Sequence, residues 1–127
     1  MGARHPRDLV AWQLARQLKL RVYGIIARPT VRRDLRFCDQ IREASASAET
    51  NIAEGFWRYA PRDFARFLAI ARASLGEVQN HLQDGRDRGH LDRVELDELT
   101  LLSSRAIGAV SRLHTYLRQK AEATRNR

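Results

Sequence analysis

Apolar residues recur every three or four positions along almost the whole chain, and that spacing admits little besides α-helix. Four such stripes can be traced. In the first, Leu9, Trp12, Ala15, Leu18, Val22 and Ile25 share a face. Asp8 stands where an N-cap belongs, and the stripe should end before Pro29, because the residue ahead of a proline avoids the α region. The second, at about residues 33–53, carries Leu35, Cys38, Ile41, Ala44, Ala48 and Ile52. Gly55 is placed to end it with a positive φ. The third opens at Pro61, a good first helical residue, and continues through Phe64, Phe67, Leu68, Ala71, Leu75, Val78 and Leu82. A polar turn, GRDRGH, bounded by Gly85 and Gly89, leads to a fourth stripe from about Asp92 with Leu96, Leu99, Ala106, Val110, Leu113 and Leu117. No strand pattern competes. Four helices with short connections predict an all-α, antiparallel up-down-up-down four-helix bundle. At 127 residues the chain reads as one domain, with residues 1–7 and 119–127 expected to be flexible.

Several classes are disfavoured at once. No apolar run is long enough for a bilayer span, so no membrane partner is expected. The N-terminal stretch lacks the apolar h-region of a signal peptide. Pro6 stands where a myristoylation signal needs Ser or Thr. The lone cysteine, Cys38, has no internal disulfide partner, which suits a reducing, cytoplasmic compartment. It reads as a small, half-buried residue rather than a nucleophile.

Charge is the feature that points outward. The formal net charge is +8, unevenly spread. Residues 1–36 hold nine Lys/Arg against two Asp, residues 37–117 ten Arg against twelve Asp/Glu, and residues 118–127 four Lys/Arg against one Glu. The excess therefore sits on the first helix, the first corner and the tail, an asymmetry that favours a polyanionic partner. Because nearly all these cations are arginine, codon bias and simple solubility compete with that reading. Arg16 and Lys19 share one flank of the first helix, while Arg21 and Arg28 share another. Arg28, Arg32, Arg33 and Arg36 cluster at the first corner, and Arg4, Arg7, Arg118, Lys120, Arg125 and Arg127 meet at the opposite end. The candidate nucleic-acid contacts are Arg16, Lys19, Arg21, Arg28, Arg32, Arg33, Arg36, Arg118 and Lys120. They suit phosphates better than base edges. Tyr23, Trp57 and Tyr59 are the aromatics available for base stacking, although each reads first as packing. A protein-only scaffold is the competing reading, in which Trp12, Phe56 and Trp57 form a seam between subunits. An RNA hydrolase is a third, and it predicts turnover that disappears in Glu54→Gln.

The stretch NIAEGFWRYAPRDF holds the densest group of polar and aromatic residues between two helices. Buried, Asn51 needs hydrogen bonds, either from the end of the second helix or from Ser74 across the bundle. Glu54 near a helix C-terminus opposes the dipole and calls for a cation, with Arg58 or Arg42 as candidates. One Glu without a matched carboxylate, His or nucleophile is not an acid–base pair, so no catalytic residue is expected here. Glu77 and His81 lie one turn apart, but the Glu-x-x-His pairs of a bundle metal site are missing, and neither metal nor cofactor is expected. His90 and Asp92 read as a cap and a solvent contact. GRDRGH lacks the Lys-Ser/Thr ending of a phosphate loop.

The stretch DQIREASASAETNIAEGFWR resembles the signature of the four helix bundle proteins related to the 23S rRNA intervening-sequence protein. The resemblance rests on Gln40, Ile41, Arg42, Ala44, Ser47, Asn51, Ile52, Ala53, Glu54, Gly55, Arg58, Asp63 and Phe64. It continues through Phe67, Leu68, Ile70, Ala71, Ser74, Leu75 and Glu77, with Asp8, Leu9 and Trp12 ahead of it. Gln40, Arg42, Ser47, Asn51, Glu54, Gly55, Arg58 and Ser74 are then motif residues with structural roles. Two positions depart from the family pattern: Glu43 replaces a usual second Arg, and Ala60 replaces the Ser or Thr before the third helix. The resemblance implies a four-helix bundle assembling as a ring-shaped homopentamer. It also implies kinship with the accessory variability determinant of diversity-generating retroelements, a basic barrel that binds a reverse transcriptase and nucleic acid. It implies no enzymatic activity.

Overall fold

Each helix begins and ends for a local reason. In the computed structural model, which describes residues 2–126, the chain enters through a short 3-10 turn, Pro6–Asp8. Asp8 accepts the backbone N–H groups of Arg4 and His5 at 3.0 and 3.1 Å, and the His5 ring accepts from Arg7 at 3.1 Å. Asp8 is therefore not the N-cap of the first long helix, α1 (Val10–Ile26), which starts after Leu9 without a side-chain cap. The carboxylate is already committed to the turn before it. Helix α2 (Leu35–Phe56) is capped by Asp34, which accepts from the Phe37 N–H. Helix α4 (Arg93–Arg125) carries a reciprocal cap between Asp92 and Glu95.

Helix α3 (Pro61–Asp87) has proline at its first position, as expected, and no side-chain cap, because Ala60 has no oxygen to offer. The backbone at Ala60 is extended, with φ −76° and ψ 125°, the geometry a capping serine adopts. Ala60→Ser should raise stability by about 0.5–2 kcal/mol, read as a higher urea midpoint at unchanged slope.

The helices run antiparallel in sequence order, and one hydrophobic core lies between them. Leu18, Val22, Ile41, Ile52, Leu68, Leu75, Leu82, Leu99 and Val110 are fully buried. This is the all-α four-helix bundle that the spacing predicts. The buried serines fit because Ser45 and Ser103 donate to carbonyls of their own helices, Arg42 and Thr100, three residues back.

Three details of the stripes differ. Leu35, expected on the buried face, is 71% exposed. As the first residue of α2 it lies beyond the core, and Phe37 fills the space instead. Gly55 does not end α2 with a positive φ. It lies inside the helix, buried, where an added Cβ would come within 2.8 Å of Phe64 Cδ1 and 2.9 Å of Phe67 Cβ. Among the described residues only Gly89, in the last corner, has a positive φ, at 80°. Third, α4 stays helical to Arg125, where the polar composition suggested that the ordered bundle stops near residue 118. It has 33 residues against 27 in α3 and is longer by about 9 Å at 1.5 Å per residue. Met1 and Arg127, the outermost of the residues expected to be flexible, lie outside the described residues.

Candidate nucleic-acid interface

The basic residues of α1 sit on the flanks that their spacing assigns, but carboxylates meet them there. Lys19 Nζ lies 2.6 Å from Glu49 Oε2, and Arg16 lies 3.8 Å from the other oxygen. That Glu49 oxygen is shielded from solvent with no donor in line for a hydrogen bond, so the lysine neutralises it by charge alone. Arg21 reaches Glu98 at 3.0 Å. Arg28 grips both oxygens of Glu95, one of them at 3.1 Å. The Arg28 guanidinium, the stronger influence, and the Asp92 N–H hold the Glu95 carboxyl below the usual range against the opposing effect of burial. Four of the candidate contacts thus tie α1 and the corner that follows it to α2 and α4.

Arg32, Arg33 and Arg36 are different. They stand on the corner between α1 and α2, all exposed. None is within ion-pair distance of a carboxylate among the described residues. Asp34, the acid in their midst, is turned to other uses. It accepts from the Phe37 N–H at 3.3 Å, lies 2.8 Å from His90 Nε2 and 3.2 Å from Arg88. The His90 ring packs against Phe37, centroids 4.9 Å apart, with its side chain only 12% exposed. It is a brace between corners and not the solvent contact a turn position suggests. Cys38 lies beneath this corner, buried, its Sγ 3.4 Å from the Val31 carbonyl oxygen. Burial pushes its thiol pKa up, the opposite of nucleophile activation.

At the other end of the bundle Arg118 and Lys120 are exposed, Lys120 lying 5.8 Å from the Tyr116 ring centroid. Arg118 borders a groove between the start of α3 and the end of α4, together with Arg62, Arg66, His114 and Arg125. Arg125 belongs to the basic end group named from the sequence, while Arg62, Arg66 and His114 are absent from it. Their spacing, Arg62 with Arg66 and His114 with Arg118 and Arg125, places each group on one helical face. Only the antiparallel pairing of α3 and α4 joins the two groups.

The motif residues build the seam of α2 and α3. Asn51 donates to the Ser47 carbonyl at 2.8 Å and to Ser47 Oγ at 3.0 Å, and Ser47 Oγ shares a 3.0 Å hydrogen bond with Ser74 Oγ. The reach toward Ser74 runs through Ser47. Glu54 pairs with Arg58 at 2.9 Å, one of its two candidate partners, while Arg42 pairs with Asp39 at 2.7 Å. A model of the 23S rRNA-intervening sequence protein family matches residues 7–110. The chain belongs to that family. No curated protein matches the chain.

Between Gln40 and Gly55 the buried side of α2 is formed by Ile41, Ala44, Ser45, Ala48, Ile52 and Gly55. Gln40, Glu43, Ser47, Ser74, Glu77 and His81 line a polar groove of about 390 Å³ between α2 and α3. Glu43, the departure from the family pattern, and Glu77 give it the wrong sign for phosphate. Among the described residues no three His, Cys, Asp or Glu side chains are grouped to hold a metal, and no helix is long and apolar enough to cross a membrane. Of the seam candidates, Phe56 packs edge-on to Phe64 at 6.3 Å and Trp12 lies half-buried beside Arg16. Trp57 is 50% exposed, touching His5 edge-on, and Tyr59 is 94% exposed.

Proposed function

We propose that this protein is a non-enzymatic, homo-oligomeric bundle that holds RNA or DNA, or an enzyme working on nucleic acid such as a reverse transcriptase, through its basic surface. The observation that supports this reading best is the α1–α2 corner, where Arg32, Arg33 and Arg36 are exposed with no carboxylate within ion-pair distance among the described residues. Three guanidiniums on a convex corner recognise phosphates and carry little sequence preference. Assembly into a pentamer, the stoichiometry the family resemblance implies, repeats the corner five times. Leu20 and Leu101, 49% and 64% exposed, adjoin the Arg21–Glu98 pair and offer apolar surface for self-association. A cytoplasmic setting suits the lone thiol.

The test is fluorescence anisotropy of labelled RNA and DNA across a salt series, beside light scattering for the mass of the assembly. If about five phosphates are neutralised, log K falls against log salt with a slope of about −4 to −5. Reversing Arg32, Arg33 and Arg36 to Glu abolishes binding and leaves the helical circular dichroism signal unchanged. A flat salt response, or binding that survives the reversal, refutes the basic-surface reading and transfers support to a scaffold that binds only protein.

A further inference from the structure

A groove lies at the end of the bundle away from the α1–α2 corner, between the first turn of α3 and the last turns of α4. Its volume is about 580 Å³, within the roughly 300–1,000 Å³ that small-molecule and cofactor sites occupy. Ala65 is buried at its base, with Pro61 and Ala121 half-buried beside it. Arg62, Arg66, Arg118 and Arg125 stand exposed around this apolar floor.

The charge balance of the groove is strongly positive. One carboxylate lines it, Glu122, and Asp63 approaches a lining arginine, its oxygen 3.8 Å from Arg66 Nε. A contact that long between exposed groups neutralises little. Burial first, then the fields of Arg72 and Arg118, pull the His114 pKa down. The imidazole is thus a neutral hydrogen-bonding group in the wall at pH 7. The first turn of α3 adds N–H groups with no side-chain cap, and such a helix start attracts anions.

We propose that this groove binds the phosphate chain of a nucleotide, free or at the 5′ end of a strand. Several guanidiniums around one cavity match a chain of phosphates, and the volume leaves room for a sugar or base on the apolar floor. The site is independent of the corner: it uses none of Arg32, Arg33 or Arg36, and the α4 residues that form half of it lie past the family match at residue 110.

Calorimetric titration in magnesium-free buffer tests the assignment. The probes are ATP and a 12-nucleotide DNA carrying either a 5′-triphosphate or a 5′-hydroxyl. The proteins are wild type, Arg62→Ala/Arg118→Ala, and the corner reversal. ATP or the triphosphorylated strand should saturate one site per protomer in wild type, whichever binds tighter naming the source. Affinity for ATP should fall at least tenfold in the groove variant and hold in the corner variant, in which the 5′-hydroxyl strand no longer binds. All the altered arginines are exposed, and Arg125→Ala repeats the test should the double variant unfold. The assignment is overturned if neither probe saturates in wild type, if the groove variants bind as wild type does, or if the 5′-hydroxyl strand equals the triphosphorylated one. Because the corner reversal is measured in parallel, loss of strand binding there with an inactive groove leaves the proposed function standing.

Discussion

A Gly55→Val protein should be less stable than wild type by about 3 kcal/mol, the upper end of ordinary overpacking. The new Cβ would arrive 2.8 Å from Phe64 Cδ1 and 2.9 Å from Phe67 Cβ. The Phe64 ring has some freedom to turn, but Phe67 Cβ is fixed to the backbone of α3, so the helices themselves must separate. Valine's branch adds a second methyl to the same space. The matching control is Gly76→Ala, in the exposed middle of α3 with nothing within 4 Å of the added carbon. It should gain about 0.5–1 kcal/mol from the lower entropy of the unfolded chain. Urea denaturation of both variants measures the difference. A Gly55→Val midpoint equal to wild type would mean that α2 and α3 slide apart without cost, and the tight seam would lose its meaning.

Acid should unfold the protein in two stages. His114 has a folded pKa below its ordinary 6.5. As pH falls past 6.5 the unfolded chain takes up a proton that the folded chain refuses, so stability drops from there toward the folded value. The carboxylates follow. A hydrogen bond from Arg28 foremost lowers Glu95 from 4.5, while His90 does the same for Asp34 and the Arg4 N–H for Asp8, both from 3.8. Their contribution is complete above those ordinary values and is lost as pH falls through the depressed folded ones. By then the 15 Asp/Glu no longer offset 23 Lys/Arg, and like-charge repulsion drives the chain apart. Urea midpoints between pH 7.5 and 3 give the profile. His114→Gln should flatten the limb that begins below pH 6.5, and added salt should restore part of the lower limb by screening. A wild-type curve that shows no fall below pH 6.5 before the carboxylates titrate would contradict a lowered His114.

Local spacing carried most of the fold. The stripes, the proline at the head of α3, the Asp92 cap and the Glu54–Arg58 pair all depend on residues within a few positions of one another. Where the reading missed, the deciding partner lay far away in the chain. Gly55 satisfies the requirement of a helix end and that of a close helix approach equally well, and only Phe64 and Phe67 across the seam distinguish them. Asp8 has the right residue type for a cap, but the turn before it captures the carboxylate first. The interface was legible as a charge excess and not as a map. Glu98 and Glu95 lie 77 and 67 residues from the arginines they hold, so no local pattern foretells which cations remain free. The same distance hid the end groove: Arg118 and Arg125 stand in the basic tail, but Arg62 and Arg66 come from α3, more than 50 residues earlier, where acids balance the arginines.

The buried thiol at the first corner gives the molecule an internal reporter. Cys38 is 3% exposed, its pKa is raised, and it is the single cysteine of the chain. An alkylating reagent can reach it only when the segment from Ile26 to Phe37 lifts from the end of the bundle. The rate of modification therefore counts openings of the segment that presents Arg32, Arg33 and Arg36. A polyanion that seats on those arginines should slow the labelling of a sulfur it never touches.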